Sequence, residues 1–353
     1  MTQPFEDCPP DKIENCPHPR AVHQLFGHET AERAFLSAMN RNQLHHAWII
    51  TGPKGCGKAS LAYRVARRLL GAASDPDNGV LGVREDDPAS RQIAAGSNPD
   101  LMAITNGWNQ KTKKWRSEIS IEQIRKISHF FANRAAGNGW RICIIDCADD
   151  LNHNAANALL KTLEEPPEQG LLMLVCHRPG RLLPTITSRC RHLALRNPDT
   201  SIAKNVAMDC GANEADSILA AKLAYGSPGR AAEIANGQGL ELWAEITQTF
   251  DGLPILDQSK THGLANRLAI KSAEQSRNLF LDLLQLRLEQ EIKAYAKKQQ
   301  MYGLDAWLQV QTENQNLQNS LTRLNLDPAM VIVQMLGNIR KAAVSMQIEM
   351  ASS

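Results

Sequence analysis

The sequence has no long hydrophobic run, no excess of either charge, no CxxC pair and no internal repeat. Each absence removes a class of protein. No run of about 18 apolar residues occurs, so no membrane span is expected. Lysine and arginine total 39 against 37 aspartate and glutamate, a formal net charge of +2. No strong field therefore draws the chain to nucleic acid or acidic lipid, and any DNA contact must come from a local patch or an assembly. The first twenty residues, MTQPFEDCPPDKIENCPHPR, hold five prolines, four of them before position 18, and no apolar stretch. That is neither a secretory signal nor a transit peptide, so a flexible N-terminal arm over 1–20 and a cytoplasmic location are expected. Cys8, Cys16 and His18 form a partial ligand set with no CxxC pair beside it, and zinc is not expected there. The eight cysteines read as reduced thiols, with Cys143 and Cys176 inside apolar runs.

What is present is an ordinary soluble composition, 43% hydrophobic and 22% charged over 353 residues, enough for two or three domains. From 44 to 195 strand-like and helix-like stretches alternate. AWIIT (47–51) is a short apolar strand ending in glycines, and Leu61, Val65 and Leu69 then mark one helix face from Ser60 to Leu70. Residues 72–100 read as a long polar excursion. Ser120 with Gln123 makes a capping box for a helix whose stripe is Ile121, Ile124, Ile127 and Phe131. RICIID (141–146) is a buried strand with Asp146 at its carboxyl end. Asn154 is the expected cap of the next helix, which carries Ala155, Leu159 and Leu163 and stops before Pro166 and Pro167. LLMLVC (171–176) is another buried strand. Strands separated by helices indicate a parallel α/β sheet.

Beyond 197 the strands cease. Residues 199–237 predict a few short helices, with Pro228 of GSPGRA (226–231) at a helix start. The remainder is helical, with Leu281, Leu284, Leu288, Ile292 and Tyr295 on one stripe. A last helix opens at Asp327-Pro328 and carries Ile332, Met335, Ile339 and Ala343. The Gln/Asn-rich stretch 309–319 reads as a polar helix surface or loop.

TGPKGCGKAS (51–60) has the form of a phosphate-binding loop. Gly52, Gly55 and Gly57 permit the turn, backbone N–H groups and a helix start would face phosphate, and Lys58 would reach the outer phosphates. The hydroxyl that holds magnesium is missing: Ala59 occupies its place, with Ser60 one residue late. Two outcomes stay open, a loop holding ATP or ADP without efficient hydrolysis and a loop retained empty. Asp146 fits the metal-side acid, but Cys147 stands where a base would activate water. Asp149 and Asp150 read as helix-start charges.

NALLKTLEEPPEQG (157–170) followed by RPGRLLPTITSRC (178–190) resembles the clamp-loader ATPases of the AAA+ class. LFGHE (25–29), HHAWIITGPKGCGKASLA (45–62), AAGSNPDL (94–101), GSPGRA and NLDPAMVIVQML (325–336) extend the resemblance along the chain. It implies an AAA+ core over 21–196, a helical lid over 197–240 and a helical collar over 241–353. The collar would assemble with gamma/tau-type motor subunits and a delta subunit into a hetero-pentamer that places a sliding clamp on primed DNA. It also implies that Arg189, set by Ser188 and Cys190, projects into a neighbouring subunit's ATP site. Family members with zinc carry four cysteines in the excursion, whereas 57–142 has none. Cys176 and His177 replace the first-sensor Thr, and the second-sensor arginine falls on Gly229, with Arg230 one place along. With Ala59 and Cys147, these departures imply a non-hydrolysing stator. An active motor subunit, or another AAA+ remodeller such as a helicase loader, is the alternative.

Overall fold

The computed structural model describes residues 12–13, 16–109, 114–137, 139–297, 304–324 and 326–352. Two compact units divide the chain between Asn236 and Gly237. The first is built on a five-stranded parallel sheet: β1 (Ala47–Thr51), β2 (Leu101–Ile104), β5 (Arg141–Asp146), β6 (Gly170–Cys176) and β7 (Arg191–Ala194), ordered β2-β5-β6-β1-β7. A separate two-stranded ribbon joins β3 (Trp108–Asn109) to β4 (Lys114–Trp115).

Alternation along the central strands divides the core into two faces, because successive side chains point to opposite sides of a sheet. Trp48, Ile50, Ile142, Ile144, Met173 and Val175 lie on one face, with α1 (Glu29–Asn40) and α2 (Lys58–Leu69). Ile49, Cys143, Ile145, Leu172, Leu174 and Cys176 lie on the other, with α4 (Ile121–Ala132) and α5 (His153–Glu164). The expected faces of α2 and α5 are buried as read. On α4 the stripe is completed by buried Phe130, while Phe131 is half-buried. Asn152, not Asn154, caps α5: its side chain accepts the Ala155 N–H at 2.9 Å, and His153 already lies in the helix. The excursion 72–100 contains a helix, α3 (Pro88–Ala95), capped by Asp87 and closed by Gly96 in a left-handed conformation.

A short α6 (Pro184–Thr187) links β6 to β7. Three helices follow, α7 (Thr200–Asp209), α8 (Glu214–Leu223) and α9 (Pro228–Asn236), and α9 starts at the expected proline. Ala203, Ala207, Ala220, Ala221, Ala231 and Ala232 are buried among them, and such small side chains let helix axes approach closely.

The second unit is all-helical: α10 (Gly239–Asp251), α11 (Gln258–Ala269), α12 (Glu274–Lys297), α13 (Leu304–Arg323) and α14 (Pro328–Ser352). Phe250 stacks on Trp307 at 6.1 Å, with the Arg287 guanidinium 4.7 Å from the Phe250 ring centre. The Gln/Asn-rich stretch lies on α13 and includes one buried polar member. Asn314 accepts from Asn338 at 3.3 Å and donates to the Met335 carbonyl at 3.4 Å. Among the described residues, no helix is long and apolar enough to cross a membrane.

Candidate functional site

Strand register brings the motif residues to one edge. Thr51 pairs with Cys176, and Asp146 pairs with Val175, so the segments leaving β1, β5 and β6 emerge together at the carboxyl edge of the sheet. This is where ligands bind in parallel α/β folds. The glycine loop, Asp146-Cys147 and His177 therefore meet, as the α/β reading requires.

The loop is closed upon itself and upon the start of α9. Lys58, 3% exposed, donates to the carbonyls of Gly52 at 2.8 Å and Pro53 at 2.6 Å. Burial pushes its pKa down, partly opposed by Cys56, Asp146, Cys147 and Asp149. Gly57 adopts a left-handed conformation (φ 104°) at the mouth of α2, where a Cβ would come within 2.9 Å of Leu25. His28 Nε2 donates to the Cys56 carbonyl at 2.6 Å. From above, the Gly229 N–H donates to the Gly55 carbonyl at 2.9 Å, and Ser227 Oγ donates to the Lys54 carbonyl at 2.7 Å. Lys54 Nζ also lies 3.1 Å from Glu233, which Arg230 holds at 2.8 Å. The position expected for a second-sensor arginine thus carries a glycine, and that glycine lets the start of α9 rest on the loop. Ser60 is the third residue of α2 and half-buried.

Behind the loop, Cys147, Asp149 and His177 form a cluster. Asp149 is buried in a 3-10 turn (Ala148–Asp150) and accepts the His177 N–H at 2.9 Å. Burial alone would raise its pKa, but the hydrogen bonds from His177 outweigh this and hold the carboxyl well below its usual range. Asp149 therefore ties the end of β5 to the end of β6, a role beyond the helix-start charge expected of it. Cys147 Sγ lies 3.5 Å from His177 Nδ1, and Asp149 Oδ1 lies 3.8 Å from the same nitrogen. A nucleophilic Cys–His–acid relay needs thiol and acid on opposite ring nitrogens. Here both face one nitrogen, and burial, reinforced by Asp146, Asp150 and Asp149, raises the thiol pKa far above its ordinary value. The cluster is structural in character.

Arg189 lies at the other end of the strands. Arg191 pairs with Trp48 and Ala194 with Thr51, so β7 begins beside the start of β1, while the loop follows its end. The three steps from Trp48 to Thr51 span about 10 Å of strand. Arg189 donates to the Thr185 carbonyl at 3.0 Å and makes an ion pair with Glu164 at 2.9 Å, its side chain 38% exposed. Ser188 Oγ is 3.5 Å from its Nη1, and burial pushes the Cys190 thiol up to about 12. Of the dismissed zinc set, Cys8 lies outside the described residues. Cys16 is buried, and His18 Nδ1 accepts the Arg20 N–H at 3.1 Å. Among the described residues no group of three His, Cys, Asp or Glu side chains could hold a metal ion.

Residues 27–199, just under half the chain, match the family profile described as DNA polymerase III, delta subunit. The similarity to this family is confined to that stretch. DNA polymerase III subunit delta' of Pseudomonas aeruginosa is 34% identical over 204 residues, 57% of this chain and 58% of that protein. The same-named subunit of Escherichia coli is 31% identical over 210 residues, 58% of each. DNA polymerase III subunit gamma/tau of Mycobacterium tuberculosis is 29% identical over 180 residues, 50% of this chain and 29% of the relative. The chain therefore spans little more than half the length of the delta' relatives.

The residues as arranged do not fit a magnesium-bound triphosphate. Lys58 would have to leave two carbonyls, Gly229 would have to lift from Gly55, and Ala59 offers the metal no oxygen. Sequence reading missed Ser227 and Glu233, which fasten the start of α9 to the loop, and Glu164, which holds Arg189. Ser227 stands inside the quoted GSPGRA and Glu164 inside NALLKTLEEPPEQG, but no local pattern announces partners 173 or 25 residues away.

Proposed function

We propose that this chain is a non-hydrolysing clamp-loader subunit of the DNA polymerase III type, cytoplasmic, working as a stator. In this reading it assembles with gamma/tau-type motor subunits and a delta subunit into a hetero-pentamer that loads a sliding clamp on primed DNA. Its collar over 241–353 supplies the assembly surface, its lid spans 197–240, and Arg189 enters a neighbour's ATP site, set by Ser188 and Cys190. A guanidinium there would stabilise charge on the transferring phosphoryl group. Gly52, Gly55, Gly57, Lys58, Ser60 and Asp146 are the remnant of a nucleotide site, with any ATP or ADP held unhydrolysed.

The observation that carries the reading is the division of parts between the two ends of the strands. At one end Lys58 is committed to its own loop and α9 is seated on Gly55. At the other, Arg189 stays accessible on an exposed ion pair. The purified chain should show no steady ATP turnover, because the metal hydroxyl and the water-activating base are both absent. Turnover that disappears in Lys58→Ala would replace this reading with that of a motor subunit.

A further inference from the structure

Seven of the eight cysteines lie among the described residues, and two of them, far apart in sequence, meet. Cys16 and Cys210 hydrogen-bond thiol to thiol. Packing on both sides of Cys16 sets that contact. After it, the buried Arg64 and Arg67 of α2 donate to the carbonyls of His23, Arg20 and, at 3.1 Å, Val22, so the chain leading into α1 is bound to α2. His18 adds an edge-on contact with the Tyr63 ring, centres 6.2 Å apart. On the other side, the Cys16 N–H donates to the Ile13 carbonyl at 3.2 Å, and Ile13 Cδ1 lies 3.0 Å from where a Cβ on Gly229 would stand. Cys16 is thus held, 8% exposed, between α2 and the start of α9.

Cys210 follows the last residue of α7. Its N–H donates to the Val206 carbonyl at 3.0 Å, and Gly211 (φ 104°) ends the helix in a left-handed turn. Met208, Asp209 and Gly211 around it are exposed, and a Cβ on Gly211 would meet nothing within 4 Å. Solvent therefore reaches the half-buried Cys210 more readily than the buried Cys16. The hydrogen bond orders the pair further. The Cys16 S–H donates to the Cys210 sulfur and holds the Cys210 thiol below its ordinary value, against the opposing effects of burial and the Asp209 carboxylate. Burial instead pushes Cys56, Cys143, Cys147, Cys176 and Cys190 up. An accessible thiol of lowered pKa beside a second thiol is the arrangement of a redox-sensing pair.

We propose that Cys16 and Cys210 are a reversible redox couple, in which Cys210 reacts with a hydroperoxide and Cys16 closes a disulfide that fastens the segment before α1 to the end of α7. With hydrogen peroxide, the Cys210 thiolate attacks one oxygen and the O–O bond breaks. Hydroxide leaves and takes up the proton lost by the thiol. The Cys16 sulfur then displaces the hydroxyl of the Cys210 sulfenic acid: the S–S bond forms, the S–O bond breaks, and water leaves with the Cys16 proton. The two sulfurs lose two electrons and the peroxide gains them. A small dithiol reverses the link by exchange. Because Ile13 packs on Gly229 and Gly229 rests on Gly55, the link would fix the covering of the glycine loop. The inference stands on these thiols and their packing and does not require the stator reading.

The test treats the purified, reduced full chain with hydrogen peroxide, blocks the remaining thiols with iodoacetamide in denaturant and maps the peptides by mass spectrometry. One Cys16–Cys210 link per chain is expected, with a loss of about 2 Da from the intact mass that dithiothreitol restores. In Cys16→Ser, oxidation should stop at the Cys210 sulfenic acid, trapped by dimedone, whereas Cys210→Ser should lose link and trapped adduct alike. Both changes are close to isosteric, and circular dichroism checks that each variant is folded. Iodoacetamide labelling of the native wild-type chain needs no variant and should mark Cys210 before Cys16. A link between any other pair, no link at a peroxide dose that already oxidises methionine, or native labelling of Cys16 ahead of Cys210 would each overturn the proposal.

Discussion

Single side chains decide what the carboxyl edge of the sheet can do, and Asp149 shows how. Its carboxylate is 3% exposed and accepts the His177 N–H, a charge-assisted bond between two strand ends. With a folded pKa below the unfolded value of about 3.9, it contributes stability that is complete above that value. The contribution is lost as pH falls through the folded pKa. Asp149→Asn should therefore lower the urea midpoint at neutral pH by the equivalent of about 2 kcal/mol. It should also flatten the acid limb below pH ~4, where the carboxylate of the unfolded wild-type chain takes up a proton while the folded one stays ionised. Urea melts repeated from pH 2 to pH 7 would show whether wild type and variant converge in acid. A constant gap would mean that the ionised carboxylate contributes nothing. Cys147 sits one bond network away and does no such work, since burial keeps it a thiol.

At the scale of elements, the sheet centre was legible and its margins were not. RICIID and LLMLVC are buried on both faces and announce themselves as uninterrupted apolar runs, whereas β7 reads Arg-His-Leu-Ala with one edge open. An edge strand buries too little to leave a pattern, and β2 escaped for the same reason. The helix α3 had its cap, its proline and its closing glycine in Asp87, Pro88 and Gly96, but polar composition across 72–100 masked them. The loop's glycines and Lys58 were readable because they are local. The seating of α9 on that loop was not, because it joins Gly229 to Gly55 across the chain. That contact has a sign that can be tested. Glycine to alanine in a helix normally gains up to about 1 kcal/mol. At Gly229, however, the new Cβ would lie 2.9 Å from Gly55 Cα and 3.0 Å from Ile13 Cδ1. Gly229→Ala should thus destabilise, by about 1–2 kcal/mol. Gly263→Ala in α11, with nothing within 4 Å of its Cβ, should stabilise. Thermal unfolding of both variants decides the matter, and a Gly229→Ala protein with a raised Tm would show that α9 does not rest on the loop.

For the whole molecule, the proposed stator role rests on what the two ends of the strands hold. The chain's own loop is engaged by Lys58 and Gly229, while Arg189 is placed beyond the opposite end of β1, where its own phosphate loop is out of reach. The ion pair holding Arg189 to Glu164 is exposed on both sides, 38% and 51%. Such pairs contribute at most about 1 kcal/mol, so Arg189 can be drawn off by a stronger anion at little cost. A phosphoryl group in a neighbouring site is an anion of that kind. Where transition-state arginines have been removed from other phosphoryl-transfer sites, rates fall on the order of 10³ to 10⁵. In an assembly with several ATP sites the overall loss would be confined to the share of the one site touched. Arg189→Ala should leave folding and assembly intact while lowering the DNA-stimulated ATPase and clamp loading of the reconstituted complex. Arg189→Lys should restore little, since an ammonium lacks the planar fork of donors. Glu164→Gln removes the resting partner and leaves Arg189 in place, so it should keep activity near wild type, which separates the arginine from its tether. The measurement is ATP turnover and clamp loading by complexes reconstituted with each variant, with assembly followed by gel filtration. Full activity from a correctly assembled Arg189→Ala complex would show that Arg189 serves only its bond to Glu164.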